Sequence, residues 1–223
     1  MQSIKLKNNI RLLIAMDGGA SSGKTTSGKL IAKKYGFKLL TSGLLYRFIA
    51  YKLLKNKKIK SRNLFLKKII RKIASKDLKN RNLFSIKVTK YTSEIAKIKR
   101  IRDLLKSYQI NFSKNRLCII EGRDIGTVVI PKADLKLFFK CSLNTKTKRR
   151  FEEYRKTNKK ISFNEVKKAI KLRDSNDSNR QISPLKPAKD AVIVDTSKIN
   201  KKQMLTKLSK IVRKKIKEKY GSV

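Results

Sequence analysis

Five short apolar runs punctuate the chain: Leu-Leu-Ile-Ala-Met at 12–16, a weaker run at 38–40, Leu-Cys-Ile-Ile at 117–120, a longer one at 135–141, and Ala-Val-Ile-Val at 191–194. Apolar runs this short, bounded by polar turns, read as strands buried on both faces. Helical periodicity fills most of the intervals, at 24–35, 44–54, 93–108, 145–154 and 163–172, and a last helix is expected at 201–219. In the first of these Leu30, Ile31 and Tyr35 share an apolar face and Gly36 supplies a stop. Strands alternating with helices predict an α/β fold, a parallel sheet flanked by helices. Such sheets bind ligands beyond the carboxyl ends of their strands.

Two intervals break the alternation. Residues 55–90 lack a strong strand and are rich in Lys and Asn, which predicts a helix plus a short excursion, an inserted cap. Residues 156–160 interrupt two Arg-bearing helices and are expected to hinge a closing lid. No internal repeat occurs, and apolar residues return every few positions even in the Lys/Asn-rich stretches.

Immediately after the first strand comes Gly18-Gly19-Ala20-Ser21-Ser22-Gly23-Lys24-Thr25, a full match to the loop that wraps nucleotide phosphates ahead of a helix. Its glycines let backbone N–H groups turn toward phosphate oxygens. Lys24 can reach the β- and γ-phosphates, and the Thr25 hydroxyl can bind Mg²⁺.

Composition narrows the chemistry. The chain has 223 residues, 39% of them hydrophobic, enough for one α/β domain with small excursions. It has no apolar run of membrane-spanning length, and its first ten residues lack a secretory h-region, so a cytoplasmic protein is expected. Cys118 and Cys141 sit in apolar runs and are read as two buried reduced thiols. With no His, zinc chemistry and Ser-His catalysis are disfavoured. The 60 Lys+Arg against 15 Asp+Glu leave a formal charge of +45, which raises the question of an RNA partner. The lysines are spread along the chain rather than clustered, however, so compositional bias accounts for them as well as a binding stripe would, and no specific nucleic acid is expected.

Phosphoryl transfer needs a second anion site, a Mg²⁺ environment and cations over the migrating group. Arg47, and Arg123 just past a strand, are candidates for a second phosphate through their forked donors. For Arg47 a solvated surface role stays open; for Arg123 the strand-end position favours a function. Glu121 and Asp124 flank the same turn, and either a ligand role or an ion pair with Arg123 is open to them. Arg173, Asp177 and Arg180 recur at offsets of four and three, one helical face if the helix continues.

Four blocks together resemble the bacterial cytidylate kinases: 14–26; Thr-Ser-Gly-Leu-Leu-Tyr-Arg at 41–47; Glu-Gly-Arg-Asp-Ile-Gly-Thr-Val-Val-Ile-Pro at 121–131; and the segment from Arg173-Asp174 through Ser-Pro-Leu-Lys-Pro-Ala-Lys-Asp-Ala at 183–191. The Gly-Arg-Asp and Pro-Leu-x-Pro-Ala blocks are far more family-specific than the phosphate loop. The resemblance covers nearly the whole chain. It implies ATP-dependent phosphorylation of CMP and dCMP on a single P-loop domain with a five-stranded parallel sheet: core about 1–54 and 109–223, monophosphate-binding insert about 55–108, lid about 149–162. ATP and Mg²⁺ are the implied cofactors, with residues 18–26, including Thr26, on the ATP phosphates and Thr25 on the metal. Ser42, Arg47, Arg123 and Arg180 are implied around the CMP phosphate and ribose, with Tyr46 in the same block, and Arg173 with Asp177 as ribose-side and phosphate-side contacts. Ser93, Arg102 and Asp124 would read cytosine, whose exocyclic amino group suits a carboxylate acceptor. Lys24, Arg123, Arg173 and Arg180 are the implied catalytic cations, joined by lid arginines among Arg149, Arg150 and Arg155. A monomer without membrane attachment is expected. The chain departs from the family in the short, lysine-rich stretch 77–91, where members usually carry a longer small sheet, and in Glu121, where many carry Asp.

Overall fold

The computed structural model describes residues 4, 6–56, 58–156 and 161–221. Residues 157–160 of the expected lid hinge, and 1–3 and 5 of the N-terminal stretch, lie outside the described residues. The chain divides into two compact units, one made of the residues up to 40 with those from 113 onward, the other of residues 41–112.

In the first unit all five expected strands form: β1 (Leu12–Gly18), β2 (Lys38–Thr41, its last residue at the unit boundary), β3 (Leu117–Gly122), β4 (Leu135–Lys140) and β5 (Val192–Asp195). Their spatial order is β2-β3-β1-β4-β5, with β1 pairing in parallel with both β3 and β4, and β4 with β5. β1 is therefore the centre, and the connections diverge to either side of it, opening a crevice at its carboxyl end. Its near-continuous apolar run follows from burial on both faces.

The helix α1 (Lys24–Tyr35) starts directly from the glycine loop and ends at Gly36, whose φ of 74° lets its N–H return to the Ala32 carbonyl. α1 contributes Ile31 and Tyr35 to a core that also holds Leu12, Ile14 and Met16 of β1 and Leu208, Val212 and Ile216 of the C-terminal helix Lys201–Tyr220. Each such fully buried aliphatic side chain is worth about 1.5–3 kcal/mol.

The second unit is helical: α2 (Ser42–Lys55), α3 (Arg62–Arg71), two short tight turns at Asp77–Lys79 and Arg81–Phe84, α4 (Ile86–Ile95) and α5 (Lys99–Ser113, its last residue beyond the unit). Among the described residues of 77–91 there is no strand, so the stretch is built without the small sheet that the family pattern carries. The single helix expected at 93–108 is instead two. Val88, Thr92 and Ile95 form one buried stripe and Ile101 and Leu105 another. Ile101 comes six positions after Ile95, so an unbroken helix would rotate the second stripe about 120° away from the first. The break restores the alignment: Lys97 and Ile98 bond back only three residues, and Arg102 Nη1 donates to the Ala96 carbonyl at 3.2 Å.

Back in the first unit, α6 (Leu143–Arg155) begins at Ser142, whose hydroxyl accepts the Thr145 N–H, and α7 (Phe163–Asn179) at a reciprocal Ser162–Glu165 box. They meet through an edge-on Phe151–Phe163 pair with ring centres 5.6 Å apart. α7 runs seven residues beyond the expected 163–172, so Arg173 and Asp177 share a face four residues apart. Arg180 lies just past the helix in extended conformation, yet its guanidinium still comes within 3.8 Å of Asp177. The C-terminal helix, α8 (Lys201–Tyr220), has an Asn200–Gln203 box at its start. Cys118 is buried as expected, and burial pushes its thiol up to about 12. Cys141 is only half-buried, beside Arg149, because it is the one residue of the 135–141 run that lies past the end of β4.

Candidate active site

The loop between β1 and α1 takes its shape from backbone that few side chains allow. Gly18 has φ 153°, and a Cβ there would meet the Phe139 carbonyl oxygen at 2.6 Å; Gly23 has φ 85°. Ser21 holds φ 53°, the left-handed region, which is strain of the kind stored at binding loops. The first helical bond of α1 is Ser27 N–H to the Gly23 carbonyl, so the amides of Lys24, Thr25 and Thr26 precede it and open toward the helix N-terminus, a ready anion seat.

Lys24 is buried and donates to the Gly19 carbonyl at 3.0 Å. Burial, and next the nearby Arg123 charge, push its ammonium down to about 7, against the pull of Glu121. The Thr25 hydroxyl lies 2.7 and 2.9 Å from the two carboxylate oxygens of Glu121, which is buried near the end of β3. A hydroxyl and a carboxylate are hard oxygen donors, the set that suits Mg²⁺ held partly by substrate phosphates. Thr196, after β5, donates to the Ser22 carbonyl at 2.9 Å and accepts from Arg149 Nη1 at 3.0 Å, while Arg149 Nη2 donates to the Thr196 carbonyl at 2.7 Å. Arg149 thus lies against the loop. Arg150 instead pairs with Glu153, and Arg155 stacks over Phe151.

A second cluster stands beside the loop in the same unit. Arg123 Nε donates to Asp177 at 2.7 Å and Nη1 to the Gly18 carbonyl at 2.9 Å. Burial would lower Arg123, but Asp177 above all, with Asp174 and Glu121, holds it above its ordinary value. Burial would likewise raise Asp177, and the Arg123 cation outweighs it and keeps the carboxyl low. Arg180 lies 3.5 Å from Asp124 and 3.8 Å from Asp177, completing a chain of alternating charge. Arg173, one turn before Asp177, acts electrostatically on both Lys24 and Asp177. The tertiary fold therefore joins Arg123, Asp124, Asp177 and Arg180 in one network. Glu121 and Asp124, which flank one turn, have separate partners, Thr25 and Arg180.

The remaining candidates belong to the helical unit. The Ser42 hydroxyl, at the start of α2, accepts from Gln109 Nε2 at 2.7 Å. Arg47 is buried rather than solvated: Nη1 donates to the Leu83 carbonyl at 2.7 Å and to the Thr89 hydroxyl at 2.8 Å, and its guanidinium sits 5.2 Å from the Phe84 ring. Tyr46 lies under the Arg102 guanidinium at 5.9 Å. Ser93 is half-buried near the end of α4, so it and Arg102 stand on different helices.

Two acids escaped the sequence reading. Asp174 accepts the Ala20 N–H at 2.7 Å and pairs with Lys146 at 2.7 Å; a Cβ on Gly19 would lie 2.6 Å from it. Asp17, the last residue before the glycine loop, is 4% exposed and accepts the N–H groups of Ile125 and Gly126 at 2.8 and 2.7 Å. A signal for Asp17 existed, an acid closing an apolar strand in an acid-poor chain. Asp174 carried none beyond its place between Arg173 and Asp177.

Strand order, a phosphate loop at the centre of the sheet and helices inserted in the chain between β2 and β3 are the architecture of a P-loop kinase. The family description "Cytidylate kinase" matches residues 14–214, and the chain belongs to that family. It is 35% identical to the cytidylate kinase of Pseudothermotoga lettingae over 217 residues, covering 93% of this chain and 96% of the relative. With the cytidylate kinase of Thermotoga neapolitana the identity is 36% over 225 residues, covering 92% and 98%. In fold alone it is similar to the crystal structure of an uncharacterized protein from Eubacterium ventriosum, with a TM-score of 0.51 and 13% identity, covering 91% and 98%.

Proposed function

We infer that the protein transfers the γ-phosphoryl group of ATP to the phosphate of CMP or dCMP, giving CDP or dCDP and ADP. Family membership supports the reaction, and one observation ties it to this chain: Arg123 bridges the Gly18 carbonyl of the phosphate loop and Asp177. If Asp177 belongs to the acceptor side, Arg123 stands where donor and acceptor phosphates would be brought in line.

The nucleophile is a phosphate oxygen already ionised at neutral pH, so no general base is needed and catalysis consists of positioning and charge neutralisation. Residues 18–26 bind the ATP phosphates. Lys24, Arg123, Arg173 and Arg180 spread positive charge over the transferring group, with Arg149 against the loop. Thr25 and Glu121 would hold Mg²⁺, which when bound offsets charge on the triphosphate. On the acceptor side Ser42, Tyr46, Arg47, Arg123, Arg173, Asp177 and Arg180 contact ribose and phosphate, and Ser93, Arg102 and Asp124 read the base. Uracil would set a carbonyl oxygen against the Asp124 carboxylate, so CMP is preferred to UMP. The stretch at about 55–108 serves as the monophosphate-binding insert and the stretch at about 149–162 as the lid.

Among the described residues no helix is long and apolar enough to cross a membrane. The enzyme acts as a cytoplasmic monomer without a nucleic-acid partner. The test is ADP release against a panel of nucleoside monophosphates, with and without RNA. Release dependent on CMP or dCMP and indifferent to RNA supports the reading; release no greater than in buffer, or stimulated by RNA alone, overturns it.

A further inference from the structure

The parallel ladder between β1 and β3 ends at the pair Asp17–Gly122. Beyond it the β3 chain turns away through Arg123 and Asp124, and a side chain takes over from the backbone: Asp17 Oδ1 accepts the Ile125 N–H at 2.8 Å and Oδ2 the Gly126 N–H at 2.7 Å. The turn that follows is a wide one, with the Asp124 carbonyl accepting from Val128 at 2.9 Å and Val129 at 3.2 Å and the Ile125 carbonyl from Ile130 at 2.8 Å. Asp124 itself has φ −142° and ψ 24°, neither helix nor strand, so its backbone direction depends on what holds the next two amides, while Arg180 pairs with its carboxylate. The fit is tight on the far side too, since a Cβ on Gly126 would lie 3.2 Å from Lys136 Cδ and 3.4 Å from Asp17 Oδ2.

We propose that Asp17 is a positioning residue that clamps this turn, aims Asp124 at the base, and so sets discrimination between CMP and UMP. The inference rests on the reading of Asp124 as the acceptor for the cytosine amino group. A carboxylate is the right clamp because both its oxygens accept. Asparagine has the same shape but presents an NH₂ to one of the two amides, donor against donor. An unmet buried donor is costly, so the turn shifts rather than tolerate it. Burial raises the Asp17 carboxyl, the two amide bonds and then Lys24 oppose this, and Asp124 adds to it.

Steady-state kinetics with CMP and UMP, with ATP affinity measured separately by calorimetry, test the clamp in Asp17→Asn. The ratio of kcat/KM for CMP over UMP is expected to fall about tenfold, from loss of one buried hydrogen bond, while the ATP dissociation constant changes less than about threefold. In an Asp124→Asn background the same substitution should leave the ratio nearly unchanged, because it acts through Asp124. Asp17→Glu, with both acceptors, should retain more discrimination than Asp17→Ser, with one; this order carries the test if Asp17→Asn does not fold. An unchanged ratio in Asp17→Asn, an equal loss of ATP affinity, or full additivity with Asp124→Asn overturns the clamp. If the wild-type enzyme itself shows no CMP-dependent turnover, the functional reading fails first, and that outcome is seen before any variant is made.

Discussion

The carboxylate of Asp174 accepts the backbone N–H of Ala20 at 2.7 Å, with Lys146 on its other oxygen at 2.7 Å. A fixed negative charge thus stands at a loop whose remaining amides are arranged for anions. Like charges this close repel, weakly in water and more strongly where protein excludes it. Asp174→Asn, which keeps the shape and removes the charge, should tighten ADP binding by about fivefold, or about 1 kcal/mol, measured by isothermal titration calorimetry. Unchanged or weaker binding would show that the contact with Ala20 orders the loop more than its charge opposes the nucleotide.

Thr25 and Glu121 share a hydrogen bond although 96 positions separate them. If they are the protein's oxygen ligands for Mg²⁺, Glu121→Gln should raise the magnesium concentration for half-maximal turnover about tenfold, the usual scale for loss of a supporting ligand. Turnover at saturating magnesium should recover much of its wild-type value. A magnesium titration of initial rates reads this directly, and an unshifted midpoint would assign Glu121 a purely structural bond.

The Lys24 ammonium, pushed down to about 7 from 10.5 by burial, is partly deprotonated near neutrality in the free enzyme. A triphosphate beside it favours the charged form. Nucleotide binding at pH 8 should therefore take up a proton, visible as a binding enthalpy that varies with the buffer's ionisation enthalpy. In Lys24→Met the dependence should vanish.

Stability should follow pH with two opposite slopes. Asp17 is raised from 3.8 to about 6, so the folded state holds more protons between those values; its contribution is present below 3.8 and lost as pH rises through about 6. Lys24 is lowered, so between about 7 and 10.5 the unfolded chain holds the extra proton and stability rises with pH. Urea midpoints across pH, compared with Asp17→Asn and Lys24→Met, should lose the acid-side slope in the first and the alkaline-side slope in the second.

Much of this was legible along the chain. The five strands stand where the apolar runs predict them, and α1 spans its predicted residues, because parallel strands and amphipathic helices write their burial into local periodicity. The glycine loop was legible because it is contiguous. The helix break after Ile95 is hard to read along the chain because each half keeps a good period; only the six-position step from Ile95 to Ile101 signals it.

The sequence by itself determined the alternating α/β architecture, the phosphate loop and the family blocks, all properties of neighbouring residues. The tertiary structure alone decided which acids meet which donors: Asp17 with amides more than a hundred residues away, Asp174 with Ala20, Glu121 with Thr25, Asp177 with Arg123. The reason is the strand order. Placing β1 between β3 and β4 brings the segments that follow β1 and β3 together at the carboxyl ends of the strands, where α7 supplies Asp174 and Asp177, and periodicity within a segment carries no information about which segments will lie side by side.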